Sequence, residues 1–308
     1  MRVPRLVFAV SIALIIGTPR GARSQEASLQ SDLRTKFEAD LSRVAEGLDG
    51  VMGYAIKDLS TGDNFWRLPD VVFPQASSIK LTVLLELMRQ DQEGKLSLDE
   101  KHVIRRSEMT VGDNEAILNK LGDGTVTMTL RDLAVFMVVL SDNSATNILI
   151  DRLGMDNINA GIARMGLKET KLRRHMIDLD AARHGNENVS TPREMLALLE
   201  MVRAGRALDP AHTQEFLRIL GLPKESEFHR ALPPGVVIAD KPGSLEGVRC
   251  DSGIIEIADH PFILCVMTTY LKHDENGERA IEEIARLAFA FFDHLERFSP
   301  YGRAIPAP

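Results

Sequence analysis

The chain has 308 residues, 44% of them hydrophobic, and a formal net charge of −7. That is enough apolar material for one large core or two interleaved substructures, and the acidic balance argues against nucleic acid and anionic membrane surfaces as partners. The eight histidines are scattered, none at ligand spacing with a cysteine or acid, so neither a metal nor another cofactor is expected.

The first residues read as an export signal. Arg2 and Arg5 precede an apolar run over 6–16 broken only by Ser11, and Ala22-Arg23-Ser24 supplies small residues before a cut after Ser24. The run is short for a membrane span, so a periplasmic or extracellular, membrane-free protein is expected. Cleavage removes four arginines and no acid, taking the net charge from −7 to −11 and leaving about 284 residues.

Residues 29–48 are charged and amphipathic and predict a first helix, broken by Gly50. Residues 51–58 read as a strand, 59–64 as a turn and 65–68 as its partner. An apolar segment then ends at Pro74, and a helical period runs from about Ser77 to Asp91. A loop over 94–100 leads to a polar element, and 114–121 predicts a short helix stopped by Gly122-Asp123-Gly124. Thr129-Leu130-Arg131-Asp132 is a capping box opening an apolar helix over 133–140, and another helix follows at 145–153.

Residues 155–190 are Gly-punctuated and charged, more loop than helix in their second half. Pro192 behind Thr191 opens a helix over 195–202. A further helix at 210–220, strands at 236–240, 253–258 and 262–269, and a helix at 278–292 complete the pattern, with a frayed Pro-rich tail after Ser299. This order predicts an α+β (α/β/α) fold: a five-stranded antiparallel sheet built from both chain ends with flanking helices, plus an all-helical lobe. The α/β part spans 25–72 and 215–300, the lobe 73–214, and the tail 301–308, in one domain. Cys250 and Cys265 lie in strand-like segments. Export permits a disulfide between them, while buried free thiols suit such segments equally.

Chemistry gathers at three places. Ser77 and Lys80 sit three apart on one helix face, where a lysine of lowered pKa can take the serine proton. Ser141-Asp142-Asn143 falls where a lobe helix ends, facing a cleft rather than the core. Lys241-Pro242-Gly243-Ser244 follows a strand. Ser-x-x-Lys, Ser-Asp-Asn and a Lys-x-Gly element in this order resemble the penicillin-recognising serine hydrolases, specifically class A beta-lactamases and their relatives. The likeness covers nearly all of the mature chain, including Phe73-Pro74 before the serine and Gly247-Val248-Arg249 after the third motif.

The resemblance implies a monomeric enzyme acting on a small beta-lactam or D-alanyl peptide. Ser77 would be acylated, Lys80 would serve as a base for that step, and Ser141 would relay a proton to the leaving nitrogen. Asn143 would bind the substrate's side-chain amide, and Lys241 would supply charge near Ser141 and the substrate carboxylate. The backbone N–H groups of Ser77 and Ser244 would form the oxyanion hole, Gly243 and Ser244 would help bind substrate, and Asp142 would brace the loop. Two departures stand out. Pro242 replaces a hydroxyl residue and lacks an N–H, leaving Ser244 or Arg249 to hold the carboxylate. The family's deacylating glutamate has no counterpart at the expected spacing; Asp178 and Asp180 are the nearest acids, each one methylene shorter, and each could instead pair with Arg173, Arg174 or Arg183. The implied function is a secreted beta-lactamase, with a D-alanyl peptidase or esterase and a non-catalytic binding protein as alternatives.

Overall fold

The computed structural model describes residues 20–113, 116–121, 125–298 and 301–305. Residues 1–19, most of the expected export signal, lie outside the described residues, as do 114–115 at the start of the expected helix over 114–121. Helix α1 (Arg20–Gly47) leads into β1 (Val51–Asp58) and β2 (Asn64–Arg67), then β3 (Phe73–Pro74), a 3-10 turn over Ala76–Ile79 and α2 (Lys80–Gln92). The lobe continues through β4 (Lys101–Ile104), β5 (Val126–Thr129), α3 (Leu130–Val139), α4 (Asn143–Leu153), α5 (Met155–Arg164), α6 (Leu179–Arg183), β6 (Val189–Ser190), α7 (Pro192–Arg203) and α8 (Pro210–Leu220). Helix α9 (Glu227–Ala231), strands β7 (Val237–Leu245), β8 (Val248–Glu256) and β9 (Phe262–Thr269), and α10 (Asp274–Arg297) close the chain.

The main sheet has the order β2-β1-β9-β8-β7, antiparallel throughout. Side-chain alternation divides it between two cores. Ala55, Ala239, Cys250, Ile254, Ile263, Cys265 and Met267 pack with the helical lobe, whereas Met52, Tyr54, Ile56, Ile255, Phe262, Leu264 and Val266 pack with α1 and α10. A one-residue slip would exchange these faces, so burial on both sides pins the register. The outer core is aromatic: Phe37 stacks on Phe291 with centroids 4.3 Å apart, and Phe262 on Phe292 at 4.7 Å.

Local signals explain most helix starts. Thr129 and Asp132 form the expected capping box on α3. Thr191 caps α7 with Pro192 in its first turn, and Asp209 caps α8 ahead of Pro210. Other expectations change. Within 116–121 only a 3-10 turn at Leu118–Lys120 forms, with the Leu118 N–H donating to Asp142 Oδ2 at 2.9 Å. Strand β7 runs on through Lys241, Pro242 and Gly243, with Pro242 opposite Asp251. It is an edge strand, where a missing N–H is tolerated. The tail is not wholly frayed, since Phe298 bridges Ala304. Cys250 and Cys265 are both buried and unpaired. Among the described residues no helix is long and apolar enough to cross a membrane.

Candidate active site

The seam between lobe and sheet is held by direct bonds. The 3-10 turn bearing Ser77 lies against β7: Ser78 Oγ donates to the Lys241 carbonyl at 2.7 Å, and Cys250 Sγ lies 3.1 Å from the Gln75 carbonyl. Gly243 is required at this approach. A Cβ there would stand 2.7 Å from the Gln75 carbonyl oxygen and from Cys250 Sγ, and 2.9 Å from Ser78 N. A cavity of about 640 Å³ opens along the seam, bordered by Ser77, Ser141, Asn143, Lys241, Gly243 and Ser244. Residues from three distant chain segments therefore meet in one place.

Lys80 is wholly buried at the first position of α2. Its Nζ lies 2.6 Å from the Ser141 carbonyl, 2.9 Å from Asn143 Oδ1 and 3.1 Å from Ser141 Oγ. Lys241 Nζ reaches the same Ser141 Oγ at 3.1 Å. Burial, reinforced by the Lys241 charge, pushes Lys80 well below the ordinary lysine range, against the opposing pull of Asp142 and Asp113. Burial also lowers Lys241, to about 8, and the negative charges of Asp240 and Asp251 limit that fall. Two buried lysines of lowered pKa thus reach the same Ser141 hydroxyl, each at 3.1 Å. Such an arrangement can move a proton between the two amines through the hydroxyl.

The backbone here is strained where the chemistry is. Of the five described non-glycine residues with positive φ, Ala76 (45°), Ser141 (53°) and Ile177 (64°) border the cavity. Asp142 caps α4 by accepting from Ala145 N and also accepts from Leu118 N, so it braces the turn.

Three expected residues lie elsewhere. Arg249 does not border the cavity; its guanidinium is bonded to Glu278 at 2.9 Å, to Asp274 at 3.2 Å and to the Leu245 and Val248 carbonyls. Asp178 is exposed and caps α6 by accepting from Ala181 N at 2.9 Å. Asp180 is exposed, its carboxylate 3.9 Å from Arg183. Neither aspartate borders the cavity. On that loop Arg174, Met176, Ile177 and Asn188 border it instead. Met176 is held by reciprocal bonds with the Asn147 amide, at 2.8 and 3.1 Å. Arg174 is buried on Glu187, and Asn188 Oδ1 accepts from the N–H groups of Arg173 and Arg174. Arg230 on α9 borders the cavity from the sheet side, bonded to Glu282 at 2.9 Å. Asp113, Met176 and Arg230 escaped the sequence reading because no motif marks them.

Fold and site together define a serine beta-lactamase-like hydrolase. The chain belongs to the beta-lactamase enzyme family, whose model matches residues 36–292. It is 26% identical over 298 residues to beta-lactamase SME-1 of Serratia marcescens, covering 93% of this chain and 96% of that one. It is 27% identical to a beta-lactamase of Citrobacter koseri, covering 90% and 92%. Among solved structures, the beta-lactamase of Sphaerobacter thermophilus superposes with a TM-score of 0.75 at 30% identity, covering 82% of this chain and 95% of that one.

Proposed function

We propose that this hydrolase works through an acyl-enzyme on Ser77, formed readily with beta-lactams and released slowly. The observation that carries the reading is the shared hydroxyl: Ser141 Oγ lies 3.1 Å from the nitrogens of both buried lysines, inside the cavity that Ser77 borders. In this reading Lys80 acts in its neutral form, with two N–H donors on the Ser141 carbonyl and Asn143 Oδ1 and a lone pair left over. The Ser77 proton passes to that lone pair as Oγ attacks the lactam carbonyl carbon. The carbonyl oxygen takes up negative charge and is met by the N–H groups of Ser77 and Ser244, an arrangement that contributes a few kcal/mol. As the C–N bond breaks, Ser141 hands its proton to the nitrogen and is resupplied from the lysine pair.

Release of the acyl group needs a base for water. With Asp178 and Asp180 off the cavity and Met176 at its wall, that step falls in this reading to Lys80, which contacts Ser141 and Asn143. The same feature favours a second reading, hydrolysis of D-alanyl peptides, in which lactams act as slow substrates. The basic, apolar residues 1–16 support export of the chain.

The test is time-resolved mass spectrometry of the protein with a penicillin, a cephalosporin and a peptide ending in D-alanyl-D-alanine. The expected result is a lactam adduct on Ser77 that decays slowly, with Asp178→Asn and Asp180→Asn changing its lifetime by less than about twofold, and Met176→Glu shortening it at least tenfold. Absence of any adduct, or a Ser77→Ala variant behaving like the parent, refutes the acyl-serine reading. Peptide turnover faster than lactam turnover selects the second reading.

A further inference from the structure

Asp113 belongs to none of the three motifs, yet it borders the cavity and is only 7% exposed. Its place is built. Oδ1 accepts from Ala116 N at 3.0 Å, the backbone carbonyl accepts from Asn119 Nδ2 at 2.9 Å, and Oδ2 accepts from Asn143 Nδ2 at 2.8 Å. The surrounding loop is bonded into α4 nearby, with Thr110 N donating to Ser144 Oγ at 2.8 Å and Asn147 Nδ2 to Thr110 Oγ1 at 2.9 Å. A carboxamide has two unlike ends, one donating and one accepting. With Nδ2 committed to the Asp113 carboxylate, the other end of Asn143 is the carbonyl, and it meets Lys80 Nζ at 2.9 Å. The flipped amide would set carbonyl against carboxylate and N–H against the amine, so Asp113 makes the observed orientation the stable one.

We propose that Asp113 is a positioning residue for the acylation chemistry: its carboxylate locks the Asn143 carboxamide so that Oδ1 holds Lys80 beside Ser141, and its charge acts on the buried amine. The proposal rests on the reading of Lys80 as the base. The charged groups acting on Lys80 come from three places: Lys241 on β7, Asp142 ahead of α4, and Asp113 on this loop. The two aspartates favour the protonated lysine and Lys241 opposes it. Asp113 therefore limits how far burial can depress Lys80, and it reaches the amine through an uncharged residue that the reaction itself uses.

Asp113→Asn keeps an acceptor for Asn143 and removes the charge; Asp113→Ala removes both. The direct readout is a pH titration of the lysine side chains by NMR on protein carrying ¹³C- and ¹⁵N-labelled lysine, in a Ser77→Ala background. The Lys80 midpoint is expected to fall by about half a unit or more in both variants, with Lys241 moving less. With Ser77 restored, the ascending limb of the acylation rate should move down by the same amount, and Asp113→Ala alone should lose at least tenfold in rate at its plateau. A Lys80 midpoint unmoved in Asp113→Asn overturns the proposal, as does a plateau rate within threefold of the parent in a folded Asp113→Ala protein. If Asp113→Ala does not fold, Asp113→Asn decides by the titration alone. A shifted Lys80 with no Ser77 adduct on the parent refutes the acyl-serine reading and leaves the positioning role standing.

Discussion

Replacing Lys241 by methionine should make the protein more stable and inactive, and the gain should depend on pH. Lys241 is 1% exposed, so its ammonium is held almost without water. The fall from 10.5 to about 8 corresponds to about 3 kcal/mol of cost for keeping the cation in the folded state. The sign follows from proton counting. Between about pH 8 and the ordinary lysine range the unfolded chain binds more protons than the folded one, so stability rises with pH through that window. Below pH 8 both states carry the proton and the full cost is present.

Methionine fills similar volume without charge, and it gives up the bonds to Ser141 Oγ and the Pro242 carbonyl, both 3.1 Å. At about 1 kcal/mol for each bond, Lys241→Met should be about 1 kcal/mol more stable than the parent at pH 7. The difference should shrink to zero near pH 9 and reverse above it. Losing the Lys241 charge also lets Lys80 rise toward its ordinary range, which adds to the gain. Urea unfolding at intervals from pH 6.5 to 10, read by circular dichroism, measures the difference directly. A variant less stable than its parent at pH 7, or a difference constant across the range, would falsify the account of a buried cation held for chemistry at the expense of stability. In the parent, acylation should decline about tenfold between pH 7 and 9 as Lys241 loses its proton.

Two further substitutions probe the frame around the site. Gly243→Ala forces a methyl group into backbone that stands 2.7 to 2.9 Å away, pushing the Ser77 turn from β7, and acylation should fall roughly a hundredfold even where the protein folds; stopped-flow acylation rates within threefold of the parent contradict this. Arg174→Ala strands Glu187 and frees the loop bordering the cavity, and should cost about 2 to 4 kcal/mol of stability by chemical denaturation, with Glu187→Gln costing less because no charge is left unpaired.

Comparison of the chain with its structure separates two kinds of information. Chemistry between near neighbours was legible in the residues alone. The capping box at Thr129 and Asp132, Pro192 behind Thr191, the bounds of α8 and the two-ended sheet all follow from local propensity, caps and hydrophobic period, which act within a few residues. The three motifs likewise named Ser77, Lys80, Ser141, Asn143 and Lys241, and these do meet. What the residues alone did not settle are choices between distant partners. Polar strands β4 and β5 exist by pairing across the lobe, and five-residue α9 is too short to show a period and rests against the sheet and α10. Arg249 was expected at the substrate carboxylate, and only the packing of α10 on the sheet turned it to Glu278 and Asp274 instead. Asp178 and Asp180 were the right residue type on the right loop, but the chain turns outward after Met176 and Ile177, so Asp178 caps a helix in solvent while a methionine borders the cavity. Residue identity and spacing thus determined the groups available for the chemistry. The tertiary structure decided which of them lose their water and face one another, because burial and orientation depend on contacts made far along the chain.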